Sequence, residues 1–492
     1  MSRERNSASA MSGTPEASAV PEGAAPANPV PTNPVPGELA GPIAVAGAGV
    51  SGMATARMLD AIGVDYTLVD DRAPHALDVA TAISRLDHYA LVVTSPGWNP
   101  EAELLAAARR RGIPVMGDVE LAWRLDEAEV FGPRRTWLVV TGTNGKTTTT
   151  AMLAAMMRRG GHRAEAVGNI GTAVSDALHA QPRVDVLVAE LSSFQLHWSQ
   201  RLTPDAGVLL NLAEDHLDWH GSYEAYALAK AKALRGEVAV AGMDDAEVRR
   251  LVHDLGLGAA VVPFSLGAPE AGGLGVADGY LVDATGGEPV RLAPARGIQP
   301  PGPAGVLDAL AAAAIARSRG VSPEAIAEAL GDFQVAGHRG QVVSEHGGVR
   351  WVDNSKATNP HAAEAALAAE ESVVWVAGGQ LKGADVSDLV REHGHRMRAA
   401  IVLGQDRAII ARALERHAPR VPVHLVEEAD PRAAMTRVAE LAGDAARPGD
   451  AVLLAPAAAS LDMYAGMGQR GDMFAAAALR VAARDSAEGA GR

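Results

Sequence analysis

The stretch VVTGTNGKTTTT, residues 139–150, has the residue types and spacing for phosphate chemistry. The strict phosphate-loop pattern is G-x-x-x-x-G-K-[ST]. Gly145, Lys146 and Thr147 fit its second half, but its first glycine would fall on Val140 and stands instead at Gly142. The physical parts are still present. Leu138 to Val140 reads as a buried strand. Gly142 and Gly145, with Thr143 and Asn144 between them, allow a tight turn that exposes backbone N–H groups. A helix follows, and its N-terminus favours an anion. Lys146 can reach the outer phosphates, and the Thr147 hydroxyl can meet Mg²⁺. The alternative is a Gly-Asn-Gly turn with no ligand.

A second glycine turn, GAGVSG, supplies Gly47, Gly49 and Gly52 as G-x-G-x-x-G after a strand, with Asp70, Asp71 and Arg72 at the end of the next strand. That arrangement fits a dinucleotide, and taken alone it reads as a dehydrogenase. A second nucleotide loop in the same chain weakens that reading. Packing alone is the other explanation of the turn.

Glu190 ends the apolar run VDVLVAEL, and Glu214, Asp215 and His216 follow DAGVLLNL. Carboxylates and an imidazole at strand ends beside a phosphate loop suit Mg²⁺, which takes few protein ligands and bridges to phosphate oxygens. Lys230 fits a metal site only if CO₂ carbamylates its amine, since an ammonium repels a cation; otherwise it is a helix-surface lysine. The chain has only five lysines, at 146, 230, 232, 356 and 382, and the other 39 of its 44 basic residues are arginine. Arg cannot lose its proton and react, so lysines retained against this bias point to a need for an amine. Lys232 alone is expected to be incidental. Farther along, Lys356 and Thr358 in DNSKATN, Lys382 in GGQLKG and Ser460 in AAASLD should converge on one cationic rim suited to a small dicarboxylate. His338 and Arg339 in GHRG precede that region, and Arg339 could approach the nucleotide phosphates; a hinge ion pair is the alternative.

These residues need strand ends to hold them, and the chain alternates strand and helix from residue 41 onward. We read an α/β protein of three domains: residues 41–133, a Rossmann-like N-terminal domain; 134–334, a central α/β domain that opens with the phosphate loop; and 335–492, a C-terminal doubly wound domain. EVFGPRRT reads as the first linker, and residues 260–300 as hairpins. Residues 1–40, rich in Pro and Ala, are expected to be a disordered extension. At 492 residues and 48% hydrophobic content, three cores can be buried. The net charge of −15 argues against nucleic acid and anionic membranes. The absence of cysteine excludes disulfides, thiolate metal sites and cysteine nucleophiles. No signal peptide and no spanning segment are read, so a cytoplasmic monomer is expected.

Together, TGTNGKTT, GNIG (168–171), ELSSFQL, EDHLDWHG, YALAK, GHR, DNSKATN and PAAASLD occur in an order and spacing that resembles the Mur ligases of peptidoglycan synthesis, over roughly residues 41–485. ELSSFQL and DNSKATN point to the D-glutamate-adding branch. The resemblance implies a ligase that uses ATP and Mg²⁺ to join D-glutamate to UDP-N-acetylmuramoyl-L-alanine through an acyl phosphate, with residues 134–334 as its ATPase domain. It reassigns GAGVSG to the uridine nucleotide, with Gly49, Val50, Ser51, Asp70, Asp71, Arg72 and Ser95, Pro96 and Gly97 of TSPG around it. Asn169 and Ser192 match contacts to the same substrate. Gly142 through Thr148, Arg339 and Asp353 match ATP contacts; Thr147, Glu190, His216 and carbamylated Lys230 match metal ligands. Lys356 falls beside the γ-phosphate. Thr358, Lys382, Ser460, Leu461 and Met467 fall at the D-glutamate subsite. Two positions depart from the family. Asp308 stands where an Asn often meets adenine, and Met467 where an aromatic is common. Another Mur-type or folylpolyglutamate-type ligase, or a catalytically silent nucleotide-binding protein, is the alternative.

Overall fold

The computed structural model describes residues 32–489 except Ala259 and Ala336. It contains three sheets. The first is built from β1 (Ile43–Ala46), β2 (Tyr66–Val69), β3 (Leu91–Thr94) and β4 (Val115–Gly117) in the order β2-β1-β3-β4, all parallel. IAVA and LVVT are buried along their whole length, as strands of a parallel sheet covered on both faces must be.

The second sheet begins with β5 (Thr136–Thr141), β6 (Ala164–Gly168), β7 (Val186–Glu190), β8 (Ala206–Leu209) and β9 (Val238–Gly242). It continues with β10 (Val261–Phe264), β11 (Leu274–Ala277), β12 (Tyr280–Asp283) and β13 (Val290–Pro294). The order is β13-β12-β11-β10-β9-β8-β5-β7-β6. The last three strands form the antiparallel meander expected for residues 260–300. The sequence reading missed β6, whose AEAVG carries a glutamate and too few apolar residues to stand out. Two helices cover one face, Lys146–Arg159 and the alanine-rich Pro303–Ser318.

The third sheet comprises β14 (Gln341–His346), β15 (Val349–Asp353), β16 (Val373–Gly378), β17 (Met397–Leu403), β18 (Val423–Leu425) and β19 (Ala451–Leu454). Its order is β14-β15-β19-β16-β17-β18. Five strands are parallel; β14, unread in the sequence because QVVSEH is mostly solvated, is the antiparallel edge.

EVFGPRRT is the linker read in the sequence, joining the helix Asp118–Glu127 to β5, and it is held rather than slack. Arg135 is buried, its Nη1 lies 2.5 Å from Asp126, and it donates to the carbonyls of Val184 and Leu178. The described part of the N-terminal extension, residues 32–40, is mostly exposed but is tied to the first domain at two positions. Thr32 donates to the Glu129 carbonyl and accepts from the Gly132 N–H, and Leu39 is buried. Residues 1–31 of the expected disordered extension lie outside the described residues.

Candidate active site

In open α/β sheets, ligands bind where neighbouring strands leave a central strand in opposite directions, at the carboxyl ends. In the second sheet that strand is β5, flanked by β7 and β8. The phosphate loop follows β5, Glu190 ends β7 and Asn211 lies just past β8. Gly145 takes a left-handed conformation (φ +81°), and a side chain there would overlap Asp308 Oδ1. A Cβ on Gly142 would come within 2.9 Å of Leu210 Cβ. Asn211 braces the loop: its Oδ1 accepts from Asn144 N at 2.8 Å, and its Nδ2 donates to the Asn144 carbonyl. Thr143 Oγ1 lies 2.8 Å from the Tyr226 hydroxyl. The sequence reading missed both Asn211 and Tyr226. A lone Asn directly after an apolar strand was the available signal for the first.

The loop's charges are tightly held. Lys146 Nζ donates to the Thr143 carbonyl at 2.6 Å, and burial holds its pKa below the ordinary lysine value. Thr147 Oγ1 donates to Glu190 Oε2 at 2.8 Å and meets Arg339 Nη2 at 2.6 Å. Glu190 is buried, and its other oxygen accepts from Asn169 Nδ2 at 2.9 Å. Thr148 is buried in the next position. Lys230 is not a surface lysine. It is buried, donates to the Gly142 carbonyl at 2.7 Å and sits 4.8 Å from the centroid of the Tyr226 ring. Desolvation, then the nearby Lys146 charge, push its pKa well below the ordinary lysine value. Lys232 is not incidental either. Its ammonium caps the last turn of the Ser193–His197 helix at the carbonyls of Leu196 and His197.

The hydroxyl of Thr147 and the carboxylate of Glu190 are adjacent hard oxygens beside an anion-binding loop, a donor set that fits Mg²⁺. His216 adopts φ +54°, lies 3.5 Å from Asp215 Oδ2, and packs against Phe194. Among the described residues, Glu190 and His216 do not belong to a trio of ligand atoms within 4.8 Å. Asp308 lies beneath the loop, its Oδ1 accepting from Thr149 Oγ1 at 3.0 Å. Burial raises its pKa to about 7. This contact points it at the loop's supporting helix.

At the GAGVSG turn, Gly47 has φ +102°, and a side chain on Gly52 would overlap the Gly47 carbonyl. The third glycine therefore serves close packing of helix on strand. Asp70 braces the turn, accepting from Ala48 N and Arg72 N at 2.9 Å each; these bonds hold its pKa below the usual carboxylate range. Asp71 accepts from Val79 N. Ser95 Oγ is buried without a partner beside Gly47, and Val50 is 82% exposed at the start of the following helix. Asp118, unread in the sequence, is buried after β4 near Ser51, and desolvation raises its pKa to about 6. Ser192 caps its helix in a reciprocal pair with Gln195.

The three loops after β15, β16 and β19 do converge. Gln380 and Ala459 pair backbone to backbone, and Ala457 N donates to the Ala357 carbonyl. The element that binds them was missed in the sequence: Arg470, buried in the helix Met467–Gly489. Its guanidinium donates to Ser355 Oγ, to the Ser355 carbonyl, and to the carbonyls of Gly378 and Ala458. Its partners are mainly backbone carbonyls, which leave no mark in a sequence. Around this rim, Lys382 is exposed with φ +52°, Ser460 is buried, Leu461 is 68% and Met467 42% exposed. Lys356 is half-buried, its amide donating to the His338 carbonyl. The Thr358 amide donates to the Lys356 carbonyl. Asp353 is fully buried and engaged by His338 Nδ1 at 2.6 Å and Ser355 N at 2.9 Å. The rim reaches the phosphate loop through Arg339, through a 2.8 Å contact of Asn144 Nδ2 with His361 Nδ1, and through Asn359.

A family model described as Mur ligase middle domain matches residues 140–271, and one described as Mur ligase, glutamate ligase domain matches residues 338–458. A UDP-N-acetylmuramoylalanine--D-glutamate ligase of Corynebacterium efficiens is 59% identical over 452 residues, covering 90% of this chain and 95% of that protein. The enzyme of the same name from Mycolicibacterium smegmatis is 50% identical over 474 residues, covering 88% and 96%. Among solved structures, the UDP-N-acetylmuramate-alanine ligase MurC of Thermotoga maritima superposes with a TM-score of 0.55 at 18% identity, over 88% of this chain and 98% of that one, and so shares the fold.

Proposed function

The chain belongs to the Mur ligase family, and we propose how its residues carry out the ATP-dependent addition of D-glutamate to UDP-N-acetylmuramoylalanine in peptidoglycan precursor synthesis. It is a ligase of this kind, as relatives at 59% and 55% identity over about nine-tenths of the chain are named. The observation that carries the assignment of roles is the pairing of the phosphate loop with the cationic rim, joined at Thr147 by Arg339.

In this reading the alanine carboxylate of the UDP-sugar attacks the γ-phosphorus of ATP. The bond to the β,γ-bridging oxygen breaks, leaving ADP and an acyl phosphate. The D-glutamate amine then adds to the acyl carbon, and collapse expels phosphate and leaves the amide, the amine's proton passing to solvent. Two anions must meet in the first step. Lys146 offsets their repulsion from the preorganised phosphate loop, and Arg339 and Lys356 join it when the C-terminal unit closes. Thr147 and Glu190 would hold Mg²⁺, with His216 and a carbamate on Lys230; the ion supplies charge neutralisation at the phosphates. Burial lowers the Lys230 pKa well below the ordinary lysine value, which favours the uncharged amine that takes up CO₂ with loss of a proton. The domains divide where the sequence reading put the boundaries, at 133/134 and 334/335, with residues 32–40 attached to the first. The GAGVSG turn, Ser95 to Gly97 and Asn169 bind the UDP-sugar. Thr358, Lys382 and Ser460 bind D-glutamate, with Leu461 and Met467 along its chain. Closure of the C-terminal unit excludes water from the acyl phosphate. No helix among the described residues is long and apolar enough to cross a membrane; the enzyme works in the cytoplasm, as a monomer.

The test is phosphate release with UDP-N-acetylmuramoyl-L-alanine, ATP, Mg²⁺ and bicarbonate, with D-glutamate, L-glutamate or no amino acid, and the product read by mass. Release that requires D-glutamate, with a matching amide product, is expected. Release that requires a different amino acid would overturn the substrate assignment.

A further inference from the structure

On the helices that follow two of these loops, three side chains with metal-ligating atoms come together. Glu364 lies on the helix Pro360–Ala368; Glu392 and His393 end the neighbouring helix Ser387–His393. One ligand atom from each lies within 4.8 Å of the other two. His393 is only 4% exposed, and neither of its ring nitrogens has a hydrogen-bond partner. A buried polar group left unpaired is costly, so an orphaned imidazole calls for an explanation. The nearby bases do not occupy the carboxylates. Arg391 pairs with Asp388, and Arg396 donates to the Glu370 carbonyl. All three ligand atoms lie within 4.8 Å of one another, within reach of a single ion with metal–ligand bonds of roughly 2.0–2.2 Å after small side-chain rotations.

We propose that His393, Glu364 and Glu392 form a binding site for a divalent transition ion of the Zn²⁺ class. One imidazole and two carboxylates favour such an ion over Mg²⁺ or Ca²⁺, which take oxygen donors. Glu392 is exposed and Glu364 half-buried, so water completes the coordination. The two helices follow the loops that carry Lys356 with Thr358 and Lys382, respectively. An ion across them would fix the spacing of those loops; this consequence rests on the proposed D-glutamate subsite, while the binding itself does not.

The test uses untagged, full-length protein stripped with a chelator, titrated with Zn²⁺ by calorimetry and with Co²⁺ by visible absorption. One ion per chain should bind that His393→Ala and Glu364→Gln each weaken by about tenfold or more, the cost of losing even an outer-shell partner. Glu190→Gln should retain it, and excess Mg²⁺ with ATP should leave the Co²⁺ spectrum in place. Zn²⁺ should raise the melting temperature of the wild type and not of Glu364→Gln. Equal affinity in wild type and Glu364→Gln, or displacement by Mg²⁺, would overturn the site. If His393→Ala fails to fold, Glu364→Gln and the exposed Glu392→Gln decide it alone. Loss of ligation with Zn²⁺ binding intact would count against the proposed function and not against this site.

Discussion

Between the first and second sheets lies a shared apolar core; between the second and third lies a small set of polar side chains. In the first junction, Ile43, Val45 and Leu91 of one sheet pack in the same cluster as Trp137, Val139 and Leu187 of the other. The buried Glu120 accepts from the amides of Arg201 and Leu202, and Arg135 pairs with Asp126. Among the described residues no core cluster crosses the second junction: the clusters of the third sheet draw only on the third unit, and the side-chain hydrogen bonds across it are Arg339 with Thr147 and Asn144 with His361 and Asn359. Polar contacts exchange with water at little cost, whereas opening a core exposes apolar surface at about 25 cal/mol per Å². The first junction therefore fixes the UDP-sugar loop relative to the phosphate loop, and the second leaves the rim free to come and go.

Two buried aspartates sharpen the contrast. Asp126 at the first junction accepts from Arg135 and from Trp137 Nε1. Asp308, under the phosphate loop, has a single hydroxyl partner in Thr149, and its pKa rises to about 7. Arg135→Ala should cost about 3–5 kcal/mol by leaving a buried carboxylate unpaired. Denaturant unfolding would show it, with the first two sheets melting together. Asp308→Asn should act in the opposite direction. A raised carboxyl pKa means the folded state holds a proton that the unfolded state has released. Stability therefore falls as pH rises from about 4 to 7, and the substitution should recover on the order of 4 kcal/mol at pH 8 and nothing below pH 4. Unfolding curves at both pH values check it; equal gains at both would refute the burial argument.

At the second junction the losses should appear in rate. Arg339→Ala should lower kcat by about 10²–10³, as loss of one preorganised charge does, with little change in melting temperature. Arg470→Ala should raise KM for D-glutamate more than KM for ATP, because its partners are the loops of the rim. His361→Ala should be smallest, changing stability by less than about 1 kcal/mol. A large drop in melting temperature for Arg339→Ala or His361→Ala would break the comparison.

Much of this was legible in the sequence because the site sits at strand ends. An apolar run that stops at a polar residue, as VLVAE does at Glu190, marks both the strand and the position of the side chain. The loops after β15, β16 and β19 were readable for the same reason. Arg470 and Arg135 were not, since each serves backbone carbonyls that any sequence could present. What was not legible is that the first linker is fastened, because Gly132 and Pro133 are loop residues while the neighbouring Phe131 and Arg135 are buried. Edge strands such as β14 carry too little apolar pattern to be seen.

The measurement closest to the central claim is the distance across each junction, read by pulsed electron spin resonance. The chain has no cysteine, so paired labels can be placed at will. Asp87→Cys with His253→Cys reports the first junction, and His253→Cys with Asp388→Cys the second; these side chains are 88%, 89% and 90% exposed. On adding the UDP-substrate and a non-hydrolysable ATP analogue, the second distance should shift or narrow and the first should stay fixed. A change in the first distance, with the second unmoved, would contradict the account.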